Sequence, residues 1–141
     1  MPDVNIFLVE DDEVDAMSVK RALTELKIAN PLFRARDGIE ALEMLRGVNG
    51  MKQLPRPYVI LLDLNMPRMS GLEFLDELRK DADLKRSIVF VMTTSATEED
   101  RVRAYNKCIA GYVLKHSAAH TFLDAVTMLE HYWRVIEFPE Q

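Results

Sequence analysis

The chain has one cysteine, Cys108, among 141 residues, so no internal disulfide can form and an intracellular, cytoplasmic setting is expected. It has no excess of positive charge: 18 Lys and Arg stand against 23 Asp and Glu, for a net charge of −5. Phosphate contacts need a basic face and no segment supplies one, so direct binding to nucleic acid is not expected. No apolar run approaches the ~20 residues of a membrane span. The opening MPDVNIFLVEDD has no basic region ahead of its short apolar run, so neither a signal peptide nor a membrane partner is expected. Internal repeats, low-complexity tracts and linkers are also absent, which makes residues 1–141 one domain with a core large enough to need no staples.

Short apolar runs alternate with longer amphipathic stretches. VNIFLVE, PLFRARD near Leu32 to Arg36, YVILLD, SIVFVMTT and GYVLK are expected as strands. Between them, Ala16, Val19, Leu23 and Leu26, then Ile39, Leu42 and Leu45, then Leu72, Leu75 and Leu78 recur at helical spacing. Gly47 suits a helix end, TEEDRVRAYNKC is expected as a short charged helix with Cys108 buried on it, and a last helix runs from about Ser117 past Trp133 with its tail to residue 141. Five strand–helix alternations predict a doubly wound, five-stranded parallel sheet of the flavodoxin-like (βα)5 kind, because parallel crossovers are right-handed. In such sheets ligands bind outside the carboxyl ends of the strands.

Those ends carry Glu10, Asp11 and Asp12 after the first strand, Asp37 after the second, Asp63 after the third, Thr93 and Thr94 after the fourth, and Lys115 after the fifth. Converging carboxylates repel, by roughly 1 kcal/mol in water and several times more near a protein interior. A hard cation with oxygen ligands relieves that repulsion, and Mg²⁺ is the natural occupant. With Lys115 and a threonine hydroxyl holding phosphoryl oxygens, one carboxylate would be free to attack phosphorus. Asp12, Glu13 and Asp15 fit better as cap and first-turn charges of the helix that follows.

At these positions the chain resembles the receiver domain of two-component response regulators in its single-domain, CheY-like form, from Asn5 to about Ile136. LVEDD resembles the family's acidic pair, which implies Glu10 and Asp11 as metal ligands. VILLDLNMPRMSG resembles the phosphoacceptor segment, implying Asp63 as phosphoacceptor and metal ligand, the Asn65 carbonyl as a further ligand, and Pro67 and Gly71 as loop-shaping residues. VFVMTTSA and GYVLK imply Thr93, Lys115 and Tyr112 as the phosphoryl-binding and switch residues, with Asn65 and Ser95 tuning the rate of hydrolysis. TTSATEED, AYNKCIAGYVLK and HYWRVIEF are most similar to stand-alone regulators paired with bacterial phytochromes. Where the family commonly has proline after the lysine, His116 implies a trans Lys115–His116 peptide. Thr94 replaces a small residue beside the switch threonine.

The resemblance implies Mg²⁺-dependent transfer of a phosphoryl group from a sensor histidine kinase to Asp63. The signal would then pass through the face built by the fourth helix, fifth strand and fifth helix to a separate downstream protein. It implies no enzyme beyond help with its own phosphorylation and dephosphorylation; a pseudo-receiver or phosphorelay intermediate serving as a scaffold is the alternative. A dehalogenase-type phosphatase would carry a second carboxylate where Asn65 stands, and a flavin binder would have a glycine- and hydroxyl-rich loop in place of the first acids. Two apolar stripes on the last helix, Phe122, Val126, Leu129, Trp133 and Ile136 beside Ala125, Met128, Tyr132 and Val135, exceed what one buried face needs. A homodimer is therefore expected through Phe122, Leu129, Tyr132, Trp133, Ile136 and Phe138.

Overall fold

The computed structural model describes residues 4–117 and 120–139. Strands β1 (Asn5–Val9), β2 (Leu32–Ala35), β3 (Tyr58–Leu62), β4 (Ile88–Thr93) and β5 (Gly111–Leu114) alternate with α1 (Glu13–Glu25), α2 (Gly38–Arg46), α3 (Gly71–Lys80), α4 (Glu98–Tyr105) and α5 (Phe122–Val135). All neighbouring strands are parallel, in the order β2-β1-β3-β4-β5. This is the expected doubly wound, flavodoxin-like sheet. Its winding reverses between β1 and β3, which opens a crevice at their carboxyl ends.

The central strands are continuous apolar runs because both their faces are covered. Phe7, Val9, Ile60, Leu62, Val89 and Val91 pack with residues of α2, α3 and α4, such as Leu42, Leu75 and Leu78. Their alternating neighbours Ile6, Leu8, Val59, Leu61, Phe90 and Met92 pack with Val19 and Leu23 of α1 and Val126, Leu129 and Trp133 of α5. Helix starts follow capping chemistry. Asp12, Asp37, Ser70, Thr97 and Thr121 each accept a first-turn backbone N–H, and Gly47 ends α2 in the left-handed conformation at φ 68°.

Two expectations are corrected here. Helix α5 starts at Phe122, where Thr121 and Asp124 form a capping box, rather than near Ser117; residues 118 and 119 lie outside the described residues, as do 140 and 141 of the tail. Cys108 is exposed, not buried on α4. The helix stops at Tyr105, and Cys108 takes a left-handed turn (φ 59°) whose carbonyl accepts from Arg79 at 2.8 Å. The Arg79 guanidinium also donates to the carbonyls of Lys107, Lys85 and Ser87, tying α3 to the ends of α4 and the start of β4.

The stripes of α5 separate by burial. Leu129 and Trp133 are core residues against the sheet, so they are unavailable to a second copy and are corrected as dimer candidates. Tyr132 sits edge-on to Phe90, with ring centroids 4.7 Å apart. Phe122 and Phe138 are partly buried against the same core, and Ile136 is half-buried. The large apolar side chains that α5 leaves to solvent are Met128, 45% exposed, and Val135, 80% exposed. Leu129→Ala should therefore cost about 2–5 kcal/mol of unfolding free energy in urea, whereas Met128→Ala should stay within about 0.5 kcal/mol.

Candidate functional site

Each strand end is pinned by one further rung of the ladder. Glu10 N–H donates to the Ala35 carbonyl, Asp63 N–H to the Val9 carbonyl and Lys115 N–H to the Thr93 carbonyl, at 3.0, 3.0 and 2.9 Å. The backbone thus fixes three charged residues just past the apolar runs that precede them. Glu10, Asp63, Thr93 and Lys115 are 1%, 8%, 0% and 4% exposed. Burial on this scale is tolerated only where charges are paired.

Lys115 provides the pairing. Its Nζ donates to Glu10 Oε1 at 2.7 Å and to Asp15 Oδ2 at 2.6 Å, and lies 3.5 Å from Asp63 Oδ2. Burial alone would lower the pKa of this ammonium, but the hydrogen bonds it donates to Asp15 and Glu10 outweigh it and raise it above the ordinary lysine value. Burial, reinforced by the Asp63 charge, pushes the Glu10 carboxyl up to about 7 although Lys115 opposes the shift. Asp63 Oδ1 is buried with no hydrogen-bond partner. Carboxylate oxygens of Glu10, Asp11 and Asp63 lie within 4.8 Å of one another. An orphaned carboxylate oxygen beside two more acids, with one ammonium among them, fits a divalent cation held by oxygen ligands.

The surrounding loops hold this group in place. Gly71 opens α3 directly against the loop after β3: an added Cβ would lie 2.7 Å from Leu64 Cα and closer still to the Asp63 carbonyl. Only glycine permits that approach. Asn65 is exposed in the same loop. Asp37 caps α2 and pairs with Arg68 at 2.7 Å, outside the acidic group. Although burial opposes it, Arg68 and the Glu40 N–H hold the Asp37 carboxyl below the usual range.

On the other side, the Thr93 hydroxyl accepts from Ser95 N–H at 3.3 Å, and the Ser95 hydroxyl donates to Asp100 at 2.6 Å. Tyr112, the expected switch aromatic, is half-buried and donates its hydroxyl to the Ser95 carbonyl at 2.8 Å. It is thus turned toward the loop after β4. Thr94 is exposed. Among the described residues the one cis peptide is Arg56–Pro57, so the Lys115–His116 bond is trans, as its sequence implied.

Two participants were not foreseen. Arg34 donates to the carbonyls of Glu10 and Asp11 and pairs with Glu13, so it braces the acidic turn from β2; nothing in its local sequence announces this. Asp12 is the helix cap and Glu13 pairs with Arg34 and Arg36, as first-turn acids do. Asp15, grouped with them in the sequence, instead reaches Lys115 and must be corrected to a site residue. A signal existed: Asp15 stands four residues before Val19, on the stripe of α1 that faces the sheet.

The chain is similar to known proteins of one family. The model of the response regulator receiver domain family matches residues 6–127. Response regulator Rcp1 of Synechocystis sp. is 36% identical over 128 residues, covering 91% of this chain and 87% of that protein. The crystal structure of its Mn²⁺-bound form has a TM-score of 0.85 at 35% identity, covering 98% of this chain and 99% of that one. The phosphorylated cyanobacterial phytochrome response regulator RcpA has a TM-score of 0.88 at 33% identity, covering 99% of this chain and all of that one (100%). Among the described residues no helix is long and apolar enough to cross a membrane. The chain belongs to the response regulator receiver domain family of two-component signalling.

Proposed function

We propose that the protein accepts a phosphoryl group on Asp63 from a sensor histidine kinase of the bacterial phytochrome kind, in the cytoplasm, and signals through its α4–β5–α5 face. The observation that carries this is the unpartnered, buried Asp63 Oδ1 in a crevice that also holds the Lys115 ammonium. The Mn²⁺-bound Rcp1 and phosphorylated RcpA structures support the metal and the chemistry. RcpA's description as a phytochrome response regulator supports the type of kinase.

In the transfer, an Asp63 carboxylate oxygen forms the new bond to phosphorus while the bond from phosphorus to the kinase histidine breaks, its electron pair returning to the imidazole. Glu10, Asp11 and Asp63, with the Asn65 carbonyl, would hold Mg²⁺, which when bound neutralises charge on the phosphoryl oxygens. Lys115, with its Nζ 3.5 Å from Asp63 Oδ2, supplies a positive charge beside the acceptor. The Thr93 hydroxyl, now receiving the Ser95 N–H, is the donor available from β4. Its turn toward the phosphoryl group would free that N–H and disturb the loop whose carbonyl holds Tyr112. Asn65 and Ser95 flank the path of the hydrolytic water. Asp63 is consumed and restored in the cycle, so the protein is a phosphoacceptor rather than an enzyme acting on other substrates.

The face proposed for output also carries apolar side chains suited to a second copy. Val102 and Tyr105 of α4 and Met128 and Val135 of α5 are exposed, and β5 is an edge strand. A homodimer through this face would cover them.

Asp63→Asn should abolish labelling by a cognate kinase or by acetyl phosphate; undiminished incorporation would reject the assignment. Millimolar Mg²⁺ should raise the melting temperature by several degrees. Asp11→Asn should lose most of that rise, while its metal-free form melts no lower than the wild type because one repelling carboxylate is gone. Val135→Asp should shift the mass seen by light scattering from dimer to monomer, and a persistent dimer would place the interface elsewhere.

A further inference from the structure

The mechanism leaves one carboxylate unused. Lys115 makes hydrogen-bonded ion pairs with Asp15 at 2.6 Å and Glu10 at 2.7 Å, whereas Asp63 Oδ2, at 3.5 Å, is beyond hydrogen-bond reach. Two of its three N–H donors are therefore committed away from the acceptor. The two partners differ in what they can withstand. The Glu10 side chain is 2% exposed and that of Asp15 is 35% exposed. Losing the ammonium would leave Glu10 as an uncompensated buried charge, which is strongly unfavourable. Asp15 borders an open hollow between α1 and α5, shared with Ser18, Arg21, Lys115 and His116, so water can replace the lysine there. The Asp15 backbone is held by the Asp12 cap, so only rotation of its short side chain is left to follow a moving ammonium.

Resting on the assignment of Asp63 as phosphoacceptor, we propose that Asp15 is a positioning residue: it retains the Lys115 ammonium on the α1 side of the crevice, and phosphorylation draws that ammonium from Asp15 onto the phosphoryl oxygens while Glu10 keeps its bond. The Asp15 ion pair then stabilises the unphosphorylated form selectively and sets how readily the site accepts and keeps a phosphoryl group. The pull comes from a helix outside the strand-end acids, so the bias can be changed without altering the metal ligands or the acceptor.

Beryllofluoride with saturating Mg²⁺ serves as the phosphoryl analogue for the full chain. Asp15→Asn should bind it about fivefold more tightly than wild type. Glu13→Gln, which removes an equal charge from the same helix turn but one paired with Arg34 and Arg36, should leave binding unchanged. The Lys115 side-chain NMR signal should move when wild type binds beryllofluoride, and in Asp15→Asn it should start already displaced toward that bound position. Binding by Asp15→Asn no tighter than wild type, or an equal gain in Glu13→Gln, would overturn the proposal. Absence of binding by wild type, or its persistence in Asp63→Asn, would remove the Asp63 assignment and this proposal with it.

Discussion

Among the described residues, the Lys115 ammonium is the one cation buried among the strand-end acids, and the site depends on it. Its reach to Glu10 and Asp15 spans 105 and 100 positions of sequence, joining the last strand to the first strand and first helix. Without it, Glu10 and Asp63 would face each other as buried anions, which the interior does not tolerate. With it, the cluster is still rich in negative charge, and that residual excess makes a divalent cation favourable. Fold stability and chemistry thus meet in one group: the pairing that allows burial also stations a positive charge beside Asp63.

The sheet supplies the precision. One ladder bond beyond each strand fixes Glu10, Asp63 and Lys115, so these side chains are set directly by the sheet. The loops that contribute the remaining groups are restrained separately, by Gly71 against the Asp63–Leu64 backbone, by Asp37 on Arg68, and by Ser95 on Asp100. On the β4–β5 side the chain Thr93, Ser95, Tyr112 is connected through hydrogen bonds. Ser95 thus links the end of β4 to the edge strand through its own backbone N–H and carbonyl.

Much of this was legible in the sequence because the signals were periodic or terminal. Apolar runs covered on both faces announced the strands, and Asp12 and Gly47 announced helix ends. The joint placement of Glu10, Asp11, Asp63, Thr93 and Lys115 after successive strands announced the crevice. What stayed hidden involved long side chains or choices between equivalent faces. Arg34 lies in a short half-buried strand whose pattern says nothing about a guanidinium reaching the acidic turn. Cys108 resembled a helical core residue, yet α4 ends before it and Arg79 claims its carbonyl.

The sequence by itself determined the order of elements, the sheet they form and the residue types at each carboxyl end, since these follow from periodicity and the right-handed crossover. Only the tertiary structure decided how the acids divide. Asp12 caps the helix and Glu13 pairs with Arg34 of β2 and Arg36 beyond it, while Asp15 turns to Lys115, because the rotation of α1 against the sheet sets which first-turn side chain meets the end of β5. It also decided that Leu129 and Trp133 face the core while Met128 and Val135 face outward. Helical spacing gives the stripes, but only packing against Phe90 and its neighbours selects the one that is buried.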